Sequence, residues 1–190
     1  YTPAGTRLHF GRCNYIRIWY GSARATEIYF GLPKPAGDFP IAEGPSFRWP
    51  GGYIILVAGD LGGGLRAQIN QGCNQIFDDL QSVGYRPDRI YYLNAWDANL
   101  RVDAVASSAN LQWAITTWAS ARVGPCEPLL LIMFDHGDPD TFYINNPGNL
   151  ADTVSALNLA GWLNTLQTAT GADVHVWYMG CHSGSFINDL

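Results

Sequence analysis

Four short apolar runs, each broken off by a glycine or a polar cluster, limit what this chain can fold into. They are "YIILVAG" (Tyr53–Gly59), "RIYYLNA" (Arg89–Ala95), "PLLLIMF" (Pro128–Phe134) and "VHVWYM" (Val174–Met179). All four read as strands, and the first and third are of the buried kind found inside parallel sheets. The stretches between them have a different period. In Gly62–Gly84, Leu65, Ile69, Ile76, Phe77 and Leu80 keep helical spacing, and in Ser107–Gly124, Leu111, Ile115 and Trp118 recur at i, i+4 and i+7. A third helix is expected where Leu159, Trp162, Leu163 and Leu166 share one face. Ser107 or Ser108 suits the cap of the second helix, Ser155 that of the third, and Gly171 its stop. Strand and helix alternate throughout, which predicts a three-layer α/β/α sandwich around a mostly parallel sheet.

The front of the chain is different. "RLHF", "NYIRIWY" and "TEIYF" alternate with period two, and in the second run Ile16, Ile18 and Tyr20 share a face. Five prolines and five glycines then fall between Gly31 and Gly52. Residues 1–50 therefore read as a short β-rich segment with a linker, and residues 51–190 as the α/β domain.

Composition narrows the partners. Net charge is -5, charged residues make up 14%, Lys34 is the lone lysine and no basic run exists. Nucleic acid and an anionic membrane surface are poor matches for that balance. No run approaches the roughly 18–20 apolar residues of a membrane span. Low charge with many Asn, Ser, Thr, Tyr and Trp points to a secreted protein. The opening at Tyr1, with no signal-peptide pattern, is expected of a mature product or an internal fragment. Cys13, Cys73, Cys126 and Cys181 form no C-x-x-C pair, so a zinc knuckle or a thioredoxin-type motif is unsupported. One or two disulfides would fit an extracellular setting. Cys73 falls on the apolar face of the first helix and reads as a core residue.

In parallel sheets of this kind, sites form beyond the carboxyl ends of the strands. The first strand brings Gly59, Asp60 and three glycines, then Arg66; the second brings Asn94 and Asp97. The third brings "FDHGDPD" and the fourth "GCHSGS". His136 and Cys181, 45 positions apart, thus leave the same edge of the sheet. That is the residue pair of a cysteine nucleophile with its histidine. A nearby imidazolium lowers a thiol pKa from about 8.5 towards neutrality, and His136 could protonate a leaving amine. Gly137 would let substrate approach the backbone. Its N–H and that of Cys181 could face a developing oxyanion, typically worth about 3–4 kcal/mol. Asp135 should point away from His136 and bond a loop, and His182 suits the rim. Asp138 and Asp140 fall short of a calcium cage. Ser183, Gly184 and Ser185 suit the turn that holds Cys181, while Trp96 and Tyr178 read as core aromatics first.

The blocks "LLLIMFDHGDPDTFYINN" and "VHVWYMGCHSGSFI" resemble the His-Gly and Ala-Cys blocks of the legumain family. That family belongs to the clan of caspases, gingipains and clostripain, and the likeness is strongest to bacterial legumain-like peptidases. It covers roughly Tyr53 to Leu190. The resemblance implies a caspase-like fold and a His136–Cys181 dyad. The implied activity is a cysteine endopeptidase working through a thioacyl-enzyme, with no cofactor. It also implies a pocket for the residue before the scissile bond. There Arg66 and Gln68 match the family's Arg-His-Gln-Ala-Asp run, and Met179-Gly180 stand where the family has Glu-Ala. Losing that acidic residue tilts the expected preference towards an acidic side chain, with Asn retained. Asp60 or Asp97 could still neutralise Arg66 from the side. Family members continue past the cysteine loop with further strands. A C-terminal small subunit, or self-association, is therefore expected beside an otherwise open sheet edge.

Other readings compete. A catalytically idle member of the fold, kept as a binding or assembly module, would suit an aromatic-rich chain of low charge. Gly62–Ala67 satisfies G-x-G-x-x-A, but Asp97 lies 33 positions beyond Gly64, further than a dinucleotide fold's usual ~20. Met179 and Ser183 around Cys181 fail the nucleophile-elbow pattern. A zinc site from His175, Cys181 and His182 lacks a ligand rationale.

Overall fold

The computed structural model describes residues 15–20, 23–29, 52–96, 100–146 and 150–190. The chain divides into two compact units, Tyr1–Trp49 and Pro50–Leu190. In the first, strands β1 (Tyr15–Tyr20) and β2 (Ala23–Tyr29) pair antiparallel, from Tyr15 opposite Tyr29 to Tyr20 opposite Ala23. "RLHF" and the proline- and glycine-rich stretch 31–51 lie outside the described residues.

The second unit builds its main sheet from β3 (Tyr53–Ala58), β4 (Ile90–Asn94), β5 (Ala104–Val105), β6 (Leu129–Phe134) and β10 (Val174–Met179). Their spatial order is β10-β6-β3-β4-β5, and every neighbouring pair is parallel. The chain starts at β3 in the middle, steps outward to β4 and β5, then crosses back to β6 and β10. The order therefore reverses between β3 and β6, which is where a parallel sheet opens a crevice at its carboxyl edge.

Alternation along β3 assigns the layers. Ile54, Leu56 and Ala58 pack with Ile69, Cys73 and Phe77 of α1 (Arg66–Ser82). Ile55 and Val57 pack on the opposite face with Leu111 of α2 (Ser108–Trp113) and with Leu159 and Leu163 of α3 (Ala156–Thr170). The second unit is thus a mixed α/β structure with helices on both faces of a parallel sheet. The helix ends follow their sequence signals. Ser107 Oγ accepts from Asn110 N and Ser155 Oγ from Asn158 N, both at 3.1 Å. Gly171 closes α3 with φ of 66°, the left-handed turn that glycine adopts at least cost.

Three features depart from expectation. The second helix widens after α2 into a π-helical turn, Ala114–Ala119; Trp113 at the end of α2 and Trp118 in the turn both meet Tyr91, with ring centroids 5.7 and 5.2 Å away. The stretch after β6 is a small antiparallel sheet, β7 (Gly137–Asp138), β8 (Thr141–Asn145) and β9 (Asp152–Ser155). Finally, β10 lies at the sheet edge as expected, but its exposure was not foreseen: His175 is exposed and Trp177 is 54% exposed. On that side α1 packs over β3, β4 and β6, and from β10 only Met179 reaches its cluster. Cys73 is buried in the core as its helical position implied, Cys126 is disulfide-bonded, and Cys181 is a free, exposed thiol.

A candidate active site at three strand ends

Strand register decides which residues meet here. Ala58 of β3 pairs with Phe134 of β6, and Phe134 pairs with Met179 of β10. One residue on, the same row reads Gly59, Asp135, Gly180; two residues on, it reads Asp60, His136, Cys181. The bond from Gly59 N to Phe134 O (3.0 Å) carries the pairing past the end of β3. Side chains alternate between faces and neighbouring strands lie about 4.8 Å apart. Asp60, His136 and Cys181 each follow by two residues the last paired residue of three neighbouring strands. Cys181 is exposed and His136 half-buried.

The middle row requires its glycines. A Cβ on Gly59 would lie 2.6 Å from Asp135 Oδ2, and one on Gly180 would lie 2.5 Å from the Asp135 carbonyl oxygen. Asp135 is only 3% exposed. Its Oδ2 accepts from Leu61 N at 2.8 Å, the loop bond expected of it, while Oδ1 has no hydrogen-bond partner. Burial pushes its pKa up to about 6, against the pull of the His136 and Leu61 backbone N–H groups and of the His136 ring.

Aromatic packing fixes the cysteine loop. His182 takes φ of 56° directly after Cys181, and a 3-10 turn, Ser183–Asn188, follows. Phe186, 2% exposed, meets Tyr178 edge-on with centroids 4.9 Å apart, and Tyr178 meets Phe142 in the same way at 5.3 Å. Tyr178 donates to Thr141 O at 3.3 Å. Its hydroxyl pKa rises to about 12, first through burial and then through the negative charge of Asp135, Cys181 and Asp138. Gly137 sits under this tyrosine. A Cβ there would run into the Tyr178 hydroxyl and come within 2.5 Å of the Cys181 carbonyl oxygen. The expectation that Gly137 leaves room for substrate is thereby corrected, because protein atoms fill that room. Gly137 instead lets the histidine and cysteine main chains touch. The Cys181 thiol and the His136 ring make no hydrogen bond with each other or with other described residues.

The first-strand loop holds a second group. Asp60, 7% exposed, accepts from Gly62 N at 2.8 Å and from Arg66 Nε at 2.9 Å. Asp60 thus anchors the loop and neutralises Arg66 from the side, so the arginine is not the uncompensated charge that the Met179 replacement suggested. The terminal nitrogens of Arg66 make no hydrogen bond with described residues, and its guanidinium lies 5.9 Å from the Trp96 ring centroid. Trp96 is no core residue: it is half exposed. Gly63 and Gly64 have nothing beside their Cβ positions. Met179 is half-buried against the α1-face core rather than open to a ligand. Asp97 lies outside the described residues.

Asp138 accepts from the Tyr143 hydroxyl at 2.6 Å, and Asp140 N donates to Ser185 Oγ at 2.7 Å. Among the described residues no three His, Cys, Asp or Glu side chains converge as metal ligands would, so His175, Cys181 and His182 do not form a site. Sequence reasoning missed Phe186 as the loop's anchor, although one aromatic closing a polar turn was the available signal. No model of a known protein family matches the chain, and none of the curated proteins matches it significantly.

Proposed function

We propose that the Pro50–Leu190 unit is a caspase-like, legumain-related cysteine endopeptidase with His136 and Cys181 as its dyad. The observation that carries this reading is the register. The exposed thiol and the histidine each stand two residues past the last paired residues, Met179 and Phe134, of adjacent parallel strands. In the proposed reaction, Cys181 sulfur attacks the scissile carbonyl carbon, and its proton passes by way of His136 to the leaving amine. The C–N bond breaks and a thioacyl-enzyme remains. The backbone N–H groups of Gly137 and Cys181, on main chains that touch, would receive the oxyanion. Water activated by His136 then releases the acid product and restores the thiol.

Arg66 would bind the side chain before the scissile bond through its unbonded terminal nitrogens, with Gly63 and Gly64 leaving space. Because Asp60 offsets part of its charge, Asn is as suitable as Asp or Glu, while Lys and Arg are disfavoured. The open β10 edge is where a C-terminal small subunit or a second copy would add a strand. That same exposed edge favours the one rival reading, an idle module kept for assembly.

Brief iodoacetamide treatment at neutral pH separates the two readings. Cys181 should be labelled well ahead of Cys73, and His136→Ala should suppress that labelling. A fluorogenic peptide library should show cleavage after Asp, Glu or Asn that Arg66→Ala abolishes. Slow labelling of Cys181 that is indifferent to His136, with no cleavage, would leave the assembly module as the better account.

A further inference from the structure

Two non-glycine residues have left-handed backbone among the described residues, Asp140 and His182, both with φ of 56°. A side chain makes that conformation costly, so it persists only where neighbouring contacts hold it. Here one hydroxyl touches both. Ser185 Oγ accepts from Asp140 N at 2.7 Å and donates to His182 O at 2.8 Å, and Ser185 N donates to the same carbonyl at 2.9 Å. The two residues border the reacting groups. His182 directly follows Cys181 and sets the direction in which the chain leaves β10. Asp140 lies in the turn from β7 to β8, the hairpin that begins just after His136. Its carbonyl accepts from Ala156 N at 3.0 Å, which ties the turn to the start of α3.

We infer that Ser185 is a positioning residue for the Cys181–His136 pair, a latch whose hydroxyl fixes the thiol-bearing loop against the histidine-bearing hairpin. The inference rests on the dyad reading above. Ser185 is half-exposed, so water can replace its bonds and the fold loses little without it. What water cannot replace is a single group that holds both strained residues at once. Threonine keeps that hydroxyl; alanine removes its donor and its acceptor together.

The test is a mutant cycle read on the rate of Cys181 alkylation by iodoacetamide. It uses the wild type, His136→Ala, Ser185→Ala and the double variant. One hydrogen bond between neutral groups is worth about 2- to 10-fold in an equilibrium, so losing two should cut the His136-dependent acceleration about tenfold. The double variant should react no more slowly than His136→Ala, Ser185→Thr should recover most of the rate, and the melting temperature should move little. Exchange of the Asp140 amide, followed by NMR, should quicken about tenfold in Ser185→Ala. A Ser185→Ala protein that keeps the full His136-dependent acceleration, or an unchanged Asp140 exchange rate, overturns the latch alone. A wild type whose Cys181 reacts without regard to His136 removes the dyad and the latch with it.

Discussion

At the scale of residues, Asp135 shows how much the site costs the fold. Its carboxyl is buried with one oxygen unbonded, and its pKa of about 6 stands above the ordinary 3.8. The folded protein therefore holds this proton more tightly than the unfolded chain does. The resulting stabilisation is complete below about pH 4 and is lost as pH rises through 6, leaving a deficit of about 3 kcal/mol at pH 7. Asp135→Asn keeps an acceptor for Leu61 N but adds a buried amide donor. We expect it to gain about 1–2 kcal/mol at pH 7 in urea unfolding and to flatten the decline between pH 4 and 6. Equal stability of the two proteins at pH 7, with the decline unchanged, would refute this. Gly137→Ala should act in the opposite direction. With the Tyr178 hydroxyl and the Cys181 carbonyl already in its Cβ space, it should cost about 2–3 kcal/mol and displace the cysteine loop. Gly184→Ala, at an open position of the same loop, should stay within about 0.5 kcal/mol. A pair of equal melting temperatures would show that Gly137 is not under this constraint. That His136 and Cys181 leave strand ends was legible from sequence, because each follows an apolar run and precedes a glycine-bearing turn, and the two strands prove to be neighbours. The Asp60–Arg66 pair was legible only as one of two options, Asp60 or Asp97, since nothing in the spacing says which carboxylate a loop folds back towards.

At the scale of elements, periodicity read the four main strands and the three helices within a few residues, because burial of both sheet faces leaves a strong apolar signature. The short antiparallel sheet β7–β8–β9 was hidden. Its alternation of Phe142, Ile144 and Val154 with polar residues spans too few positions to stand apart from a loop, and the polar "HGDPD" before it reads as turn. The exposure of β10 was hidden for another reason: "VHVWYM" looks as apolar as a central strand, and only the reach of α1 decides that His175 and Trp177 stay outside. Caps offer a direct test at this scale. Ser155 ends β9 and caps α3 at once, so Ser155→Ala should destabilise the unit by about 1 kcal/mol in chemical denaturation. Ser107→Ala, which removes only the α2 cap, should cost no more than that. A larger loss at Ser107 would mean that the β9–α3 junction adds nothing to its cap.

At the scale of the whole molecule, sequence implied a parallel sheet but not the order β10-β6-β3-β4-β5, since alternation of strands and helices is shared by many windings. The order matters because three separate strands must stop at one level. Ala58, Phe134 and Met179 are the last paired residues, and each strand delivers its chemistry two residues later. The site is thus kept in phase by counting, and it can drift by substitution yet not by insertion. An extra residue after Phe134 would carry His136 to the far face of the sheet and bring Asp135 round in its place, because a strand's faces alternate one residue at a time. An extra residue at Gly84, where the chain turns in open space between α1 and β4, leaves that phase untouched. The first insertion should abolish Cys181 reactivity even in protein that still folds, and the second should preserve it; equal reactivity of the two would mean the strands can slip. Divergence of this architecture should therefore be written in connections of changing length around three strand ends that can neither gain nor lose a residue.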